Sequence, residues 1–385
     1  MLKLKPLART LELIDPREGA AGLRLSSRSG AAQWALLIAA SMLASAGLQA
    51  VALPAALLLG PMAAGILIGV NGGTVRVPRV PYLGAQSIIG CMIAKTITPA
   101  IVLSFLHSWP LFMAIVLSTI MASSLAGWLM SRSRVLPGTT GIWGSSPGAA
   151  SAMVVMADEF GSDARLVAFM QYLRVVCVTI LASLIAHFWG NTANLPRVDV
   201  AWFPPIHWLP FAGTLLVAGI GAIAGQLLKI PSGALVVPLA AGAILHLSGL
   251  IEIELPKWLL TATYAMLGWT IGLRFTRKVL AHASHAIPLV LLSIVLLIAF
   301  CGGLAFVLTR ALQIDPLTAY LATSPGGLDS IAIIAAGSNA DMSFVMALQT
   351  VRLALVILLG PPLARLLASR AAGEETATQS GKGKE

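Results

Sequence analysis

Long apolar runs dominate this sequence and leave little room for a surface that faces water. Most of them are long enough to cross the roughly 30 Å hydrocarbon core of a bilayer as an α-helix. The twelve runs cover about residues 33–51, 54–70, 83–104, 109–131, 139–157 and 164–189, then 207–228, 231–250, 257–277, 286–309, 317–336 and 343–368. The sequence therefore predicts an all-α polytopic membrane protein, because a helix satisfies its own backbone hydrogen bonds in lipid.

The charge content supports this class. Of 385 residues, 10% are charged and 57% are hydrophobic, whereas a soluble domain carries about 25% charged residues. The net charge of +10 comes from Lys and Arg at the ends of apolar runs, where they anchor cytoplasmic loops. We therefore expect the bilayer and a small-molecule or ion substrate as partners, and no nucleic acid. We expect no metal and no other cofactor, and homo-oligomerisation is left open.

An internal repeat is the strongest pattern in the chain. Ser146-Pro147-Gly148 recurs as Ser324-Pro325-Gly326, an offset of 178 residues (324 − 146). The same offset relates Asp163, Gln171 and Arg174 to Asp341, Gln349 and Arg352. An offset of 177 relates Pro54, Pro61 and Gly65 to Pro231, Pro238 and Gly242. The sequence therefore predicts that the two halves arose by duplication.

The positions of the positive loops indicate that the halves are inverted. In the first half basic residues follow the second and fourth spans (Arg76, Arg132), and in the second half they follow the first and third (Lys229, Arg274). Because cytoplasmic loops are positive, the second half must enter the membrane from the opposite side. Five crossings plus one broken or re-entrant helix per half satisfy this, and they place both termini in the cytoplasm of a bacterial cell with the chain in its inner membrane.

The expected organisation has two membrane repeats between polar tails. The predicted segments are a cytoplasmic tail at 1–32, a first repeat at 33–189, a linker at 190–206, a second repeat at 207–370 and a disordered tail at 371–385.

The fifth run of each half contains Gly and Pro residues that a straight lipid-facing helix would avoid. Ser can cap a following half-helix, Pro fits its first turn, and Gly lets the backbone approach a ligand. The N-terminus of a half-helix carries a partial positive charge. Ser146-Pro147-Gly148 and Ser324-Pro325-Gly326 are therefore predicted to bind an anion. The alternative is a proline kink that serves packing alone.

Two arginines lie inside predicted spans. Arg174 and Arg352 each follow about ten residues of an apolar run, which puts them about 15 Å deep, where a charge must face a partner or a wet cavity. Gln171 and Gln349 lie three residues earlier on the same helix face. Each Gln-x-x-Arg pair is predicted to clamp a carboxylate. The alternative is a structural ion pair, with Asp163 or Asp158 for Arg174 and with Asp341 or Asp329 for Arg352.

Three carboxylates are candidates for ion coupling. Asp329 has no acidic counterpart, since Ser151 occupies the matching position, and a carboxylate in an apolar segment can bind a proton or a cation. The alternative for Asp329 is that backbone N–H groups satisfy its carboxylate. Asp163 and Asp341 are the paired candidates.

The Ser-Pro-Gly turns, the Asp and the Gln-x-x-Arg pair, present twice, resemble the AbrB-type membrane proteins over residues 33–370. The resemblance implies a duplicated membrane domain, distantly similar to cation/proton antiporters and anion transporters. The labels of that family also include ammonia monooxygenase and regulator of gene expression. The functional positions that it implies are Ser146, Pro147, Gly148, Asp163, Gln171 and Arg174, with Ser324, Pro325, Gly326, Asp329, Asp341, Gln349 and Arg352.

Transport fits these residues better than the other labels do. The six histidines provide no evident copper or di-iron site, so no enzyme is expected. We predict a secondary transporter of a small anionic solute coupled to H⁺ or Na⁺. The alternatives are a membrane regulator or sensor that affects gene expression indirectly and, less favoured, a membrane monooxygenase.

Overall fold

A computed structural model describes residues 25–356 apart from 52, 54, 98, 100–108, 133–134, 137–138, 147–152, 154–156, 158–161, 190–204, 229, 231 and 354. The described residues are helical and contain no strand, which confirms the all-α prediction. The helices are α1 (Gly30–Ala50), α2 (Ala56–Val70), α3 (Arg79–Thr96), α4 (Trp109–Arg132), α5 (Thr140–Ser145), α6 (Ala164–Trp189), α7 (Trp208–Leu227), α8 (Gly233–Leu247), α9 (Lys257–Gly272), α10 (Arg277–Ala283), α11 (Ile287–Leu312), α12 (Pro316–Thr323), α13 (Leu328–Ala336) and α14 (Met342–Leu353).

Five of these helices, α1, α4, α6, α7 and α11, are long and apolar enough to cross a membrane, with 20 to 26 residues each. Large apolar side chains cover their outer faces. On α7, for example, Leu209, Leu216, Ile220 and Leu227 are 61–86% exposed. An apolar surface of this extent is typical of contact with lipid rather than with water. The chain is therefore a helical membrane protein.

The helices of the two halves begin at matching positions. The starts of α1, α3 and α4 precede those of α7, α9 and α11 by 178 residues, and the start of α2 precedes that of α8 by 177. Ala55 and Ser232, the residues before α2 and α8, both adopt left-handed backbone conformations with φ of 58° and 53°. Because non-glycine residues rarely adopt positive φ, the two halves share an uncommon local conformation as well as a helix order.

The halves pack against each other through the second and third helix of each. A Cβ added to Gly90 in α3 would lie 2.4 Å from the carbonyl oxygen of Leu235 in α8. A Cβ added to Gly268 in α9 would lie 2.6 Å from the carbonyl oxygen of Leu58 in α2. These contacts join equivalent positions in reciprocal order, as a two-fold relation between the halves requires. Glycine is needed at both crossings because the backbones are in direct contact.

This crossing gives a stability prediction. A Cβ added to Gly272 would lie 2.2 Å from the carbonyl oxygen of Met62, so Gly272→Ala should lower the stability by about 1–3 kcal/mol through overpacking. Gly303→Ala in α11 is the matched control, because its Cβ would meet no atom within 4 Å and alanine is the better helix former. Thermal unfolding of the full chain in detergent should show a lower midpoint for Gly272→Ala only; equal midpoints would contradict the predicted clash.

Candidate functional site

Two short helices near the end of the chain form a hairpin. Ser324 is the C-cap of α12, and α13 begins after Gly327 and has Gly337 as its C-cap. Beyond the hairpin, the Asp341 N–H donates to Oγ1 of Thr318 near the start of α12, at 2.9 Å. The chain therefore returns to the level at which the hairpin began.

The first half repeats the closing contact of this hairpin. The Asp163 N–H donates to Oγ1 of Thr140 at 3.2 Å, and both residues precede their counterparts by 178 positions. α5 ends at Ser146. Pro147 and Gly148 of the predicted turn lie outside the described residues.

Ser324 caps the end of α12 rather than the start of α13, so the predicted N-cap role is wrong for this serine. Ser146 likewise caps the end of α5, and the residues that follow it lie outside the described part of the chain. The Ser324 N–H donates to the carbonyl of Tyr320, and its hydroxyl donates to that of Leu321 at 3.1 Å. The N-cap of α13 is Gly327, which has no side chain to close that end of the helix. The physical reason is that a chain reversing between two half-helices needs residues for the turn, which moves the second start past Ser-Pro-Gly.

The glutamine of each half binds the last carbonyl groups of its short helix. Nε2 of Gln171 donates to the carbonyls of Trp143 and Ser146 at 3.1 and 2.9 Å. Nε2 of Gln349 makes the two equivalent bonds in the second half, to the carbonyls of Leu321 and Ser324 at 2.8 and 3.2 Å. Both glutamines are buried. They tie each long helix to the broken end of the neighbouring hairpin.

Arg174 lies next to the same helix end in the first half. Its Nη1 donates to the Ser145 carbonyl at 3.1 Å, and its Nη2 donates to Oε1 of Gln171 at 2.7 Å. The side chain is 7% exposed, and its Nε has no hydrogen-bond partner among the described residues. Its described hydrogen-bond partners are thus neutral groups, and the partial negative charge of a helix C-terminus is what they offer the guanidinium.

Arg352 has the corresponding place in the second half. Its Nη1 donates to the Ser324 carbonyl, and its Nη2 donates to the Gly326 carbonyl at 2.7 Å. In the described part of the chain neither arginine forms an ion pair with a carboxylate. The alternative of a structural Arg–Asp pair therefore finds no support there, although Asp158 and the side chain of Asp329 lie outside the described residues.

Asp163 and Asp341 cap the starts of α6 and α14. Oδ1 of Asp163 accepts the Leu166 N–H at 3.1 Å, and Oδ1 of Asp341 accepts the Phe344 N–H at 3.1 Å. Each lies eleven residues before the arginine of its half, about 16 Å along the helix. The structure therefore does not bring these two carboxylates to the arginines.

A cavity of about 160 Å³ brings six of the predicted residues together. Its lining includes Gln171, Arg174, Pro325, Gly326, Gln349 and Arg352. Ser146 and Ser324 lie behind this lining and contact it through their carbonyl groups, which accept from the glutamines and from Arg352. The cavity is shared between the two halves, and among its described lining residues none is acidic.

The cavity also has polar lining residues that sequence analysis missed. They come from several runs: Tyr82, Gln86, Thr119, Ser123, Ser232 and Thr270. Gln86 donates to the Tyr82 hydroxyl at 3.0 Å. Hydroxyl and amide residues are common in apolar spans, so no motif separates these from packing residues. Within the described residues, no cluster of His, Cys, Asp and Glu has the arrangement of a metal site.

His282 forms an ion pair that the sequence does not indicate. Its Nε2 lies 2.6 Å from Oδ2 of Asp163, and the two side chains are 55% and 24% exposed. Burial acts to raise the pKa of Asp163. The hydrogen bond and charge of His282, with the N–H groups of Leu166 and Arg165, outweigh burial and hold that pKa below its ordinary value of 3.8. The pair joins α10 of the second half to the start of α6.

The fold and the cavity define a helical membrane protein with a buried basic site formed by two related halves. The sequence model of the family described as "Transition state regulatory protein AbrB" matches residues 57–368, and the chain belongs to that family.

Two curated relatives extend the comparison. The protein named "Putative regulator AbrB" in Escherichia coli K12 is 49% identical over 340 residues, which cover 88% of this chain and 97% of that protein. "Uncharacterized protein YhjN" of Bacillus subtilis 168 is 28% identical over 299 residues, 73% of this chain and 77% of that protein. The predicted resemblance is confirmed.

The Asp163–His282 pair gives a pH prediction. Because the pKa of Asp163 is lowered on folding, its contribution to stability is present above pH 3.8 and is lost as the pH falls through the folded value. Thermal unfolding at about pH 5.5 should show Asp163→Asn less stable than the native chain by up to about 1 kcal/mol, and the difference should shrink as the pH falls below 3.8. Asp341→Asn is the control, since it changes the equivalent cap without a His partner. A difference that grows on acidification would contradict the assignment.

Proposed function

We propose that the protein is a secondary transporter of a small anionic solute, driven by H⁺ or Na⁺. The observation that carries the proposal is the cavity between the halves, which two arginines line without any acidic residue among its described lining. Ionised residues at membrane depth are costly and mark substrate or ion pathways. The proposal assigns the protein no enzymatic activity and no cofactor.

The electrostatics of the cavity favour an anion. Arg174 and Arg352 donate to carbonyl and amide oxygens, which fix the guanidinium groups but carry no full negative charge. A guanidinium has five N–H donors, and the described contacts use two on each arginine. The start of α13 faces the same cavity through Gly327 and Leu328, and its uncapped N–H groups add partial positive charge. A bound anion would compensate both arginines.

The proposed architecture is a pair of inverted repeats, and the register of helix contacts supports it. Gly90 lies against Leu235, and Ala94 lies against Gly242, so α3 and α8 run in the same direction. α2 and α3 are consecutive helices, and consecutive spans cross in opposite directions. α8 would then run opposite to α2, its counterpart at an offset of 177. Inverted repeats with broken helices around a central site are an architecture of secondary transporters.

The second candidate function is a membrane regulator or sensor. The family description and the name of the Escherichia coli relative both say regulator. A transporter that sets the internal level of a solute also affects gene expression indirectly, so the two candidates share the same cavity. They differ in flux: a sensor binds the solute without moving it. A membrane monooxygenase has no observation in its favour.

The proposed location is a bacterial inner membrane with both termini in the cytoplasm. The Arg76 loop then lies inside and the loop with Glu252 and Glu254 outside, as the bias of positive charge toward the cytoplasm requires. Asp329 is the candidate for ion coupling because it lies in the first turn of α13, next to the cavity lining residue Leu328.

A substitution series tests the anion site. Arg352→Gln and Arg174→Gln should each lower carboxylate uptake into proteoliposomes by tenfold or more, because each removes charge-assisted hydrogen bonds to the solute. Arg310→Gln is the control: this exposed arginine lies 5.1 Å from the Phe306 ring and outside the cavity lining. Folded native protein that moves no carboxylate under an H⁺ or Na⁺ gradient would contradict transport, and binding without flux would favour the sensor.

Matched cysteines test the inversion. Asn71 and Ser248 are exposed residues at the ends of α2 and α8, and they are equivalent positions 177 residues apart. Each is replaced by cysteine in turn. In a cysteine-free background, an impermeant maleimide should label Ser248→Cys in intact spheroplasts and Asn71→Cys only in inside-out vesicles. Labelling of both from the same side would mean parallel repeats and would refute the inverted arrangement.

A further inference from the structure

We infer that the solute bound in this cavity is a carboxylate with a hydrogen-bond donor, a hydroxyl or an ammonium group, on the carbon next to the carboxyl group. The inference rests on the proposed function because it concerns the same cavity. It narrows the solute from small anions in general to 2-hydroxy or 2-amino acids.

The first observation is an unused acceptor in the cavity wall. Gln349 lines the cavity and is 1% exposed, and its Oε1 has no hydrogen-bond partner among the described residues. A buried acceptor without a donor is costly and uncommon in folded proteins. A ligand that donates to this oxygen would remove the cost.

The orientation of this amide is fixed by its other atom. Nε2 of Gln349 donates to the carbonyls of Leu321 and Ser324. If the amide were turned over, its oxygen would face two carbonyl oxygens, and both contacts would become repulsive. The free atom is therefore an acceptor, which calls for a donor on the ligand.

The first half lacks this free acceptor. Oε1 of Gln171 accepts from Nη2 of Arg174 at 2.7 Å. In the second half, Nη2 of Arg352 donates instead to the Gly326 carbonyl at 2.7 Å, which leaves Oε1 of Gln349 open. The two arginines thus bind non-equivalent groups of their hairpins, and the different partner of Nη2 makes the second-half side of the cavity suited to a donor group.

The anion and the donor of the ligand must be close together. Gln349 and Arg352 lie three residues apart on one helix, and both bind the Ser324 carbonyl, so their free groups lie side by side. Nε of Arg174, also buried and without a described partner, offers a further donor to the carboxylate. The volume of about 160 Å³ is below the ~300–1,000 Å³ of sites for drug-sized ligands. The small volume and the short separation of the Gln349 and Arg352 groups fit a small acid whose donor is next to its carboxyl group.

The test compares acids that differ only in the donor. The probes are glycolate, lactate, malate and citrate, their unsubstituted analogues acetate, propionate, succinate and tricarballylate, and the amino acid alanine. Affinity is measured by thermal shift of the full-length protein in detergent, and transport by counterflow in proteoliposomes. We expect at least one hydroxy or amino acid to bind about tenfold or more tightly than its analogue, because the analogue leaves the Gln349 acceptor unpaired.

Matched variants assign the preference to one residue. Gln349→Met should reduce the ratio of the affinity for the hydroxy or amino acid to that for its analogue to near one. Gln171→Met removes the equivalent bonds to its own hairpin, and it should keep this ratio even if both affinities fall. Loss of the ratio in both variants or in neither would overturn the assignment to Gln349.

The outcomes separate this inference from the proposed function. Equal affinity and flux for the two members of every pair would overturn the inference and leave anion transport intact. Failure of all probes to bind or move would overturn both. If Gln349→Met does not fold, the comparison of probes on the native protein still decides.

Discussion

The central constraint in this molecule is the placement of a buried arginine, Arg174, and a partly buried one, Arg352, beside broken helix ends. A guanidinium cannot lose its proton under ordinary conditions, so each one must find polar partners in the protein interior. Arg174 and Arg352 find them in the carbonyl groups of Ser145 and Ser324, at the ends of α5 and α12. The breaks supply the acceptors that the arginines need, and the arginines satisfy carbonyls that a break would otherwise leave unpaired. Each feature explains why the other is tolerated.

The glutamines complete this arrangement. Gln171 and Gln349 each donate to two carbonyl groups of the adjacent hairpin, so each long helix is fastened to a hairpin at the level of its arginine. Two such units, brought together by glycine crossings between the halves, enclose one cavity. In the proposed transporter, a site divided between two halves would allow alternating access, because a relative movement of the halves changes its exposure while each half stays intact.

Much of this arrangement was predictable because the duplication doubled every signal. A single Ser-Pro-Gly in an apolar run has a trivial explanation, and so has a single Gln-x-x-Arg. Two copies at an offset of 178 predicted the broken helices and placed Gln171, Arg174, Gln349 and Arg352 in one site, and the structure brings these four to the same cavity. The predicted capping role of Ser324 failed because the motif shows that a turn exists, while the number of residues in the turn decides where the next helix starts. The domain boundaries and the ion-coupling carboxylates stay predictions.

The sequence alone determined the class of protein and the repeated motifs, because hydropathy and residue spacing can be read directly from a linear chain. Tertiary structure decided which atoms are free. The Asp163–His282 pair joins residues 119 positions apart, and Tyr82 and Thr270 reach the cavity from different helices. The open acceptor of Gln349 depends on which carbonyl Arg352 binds. The glutamine and the arginine are the same in both halves, so the sequence could not show that their hydrogen bonds differ. Only the packing in three dimensions does.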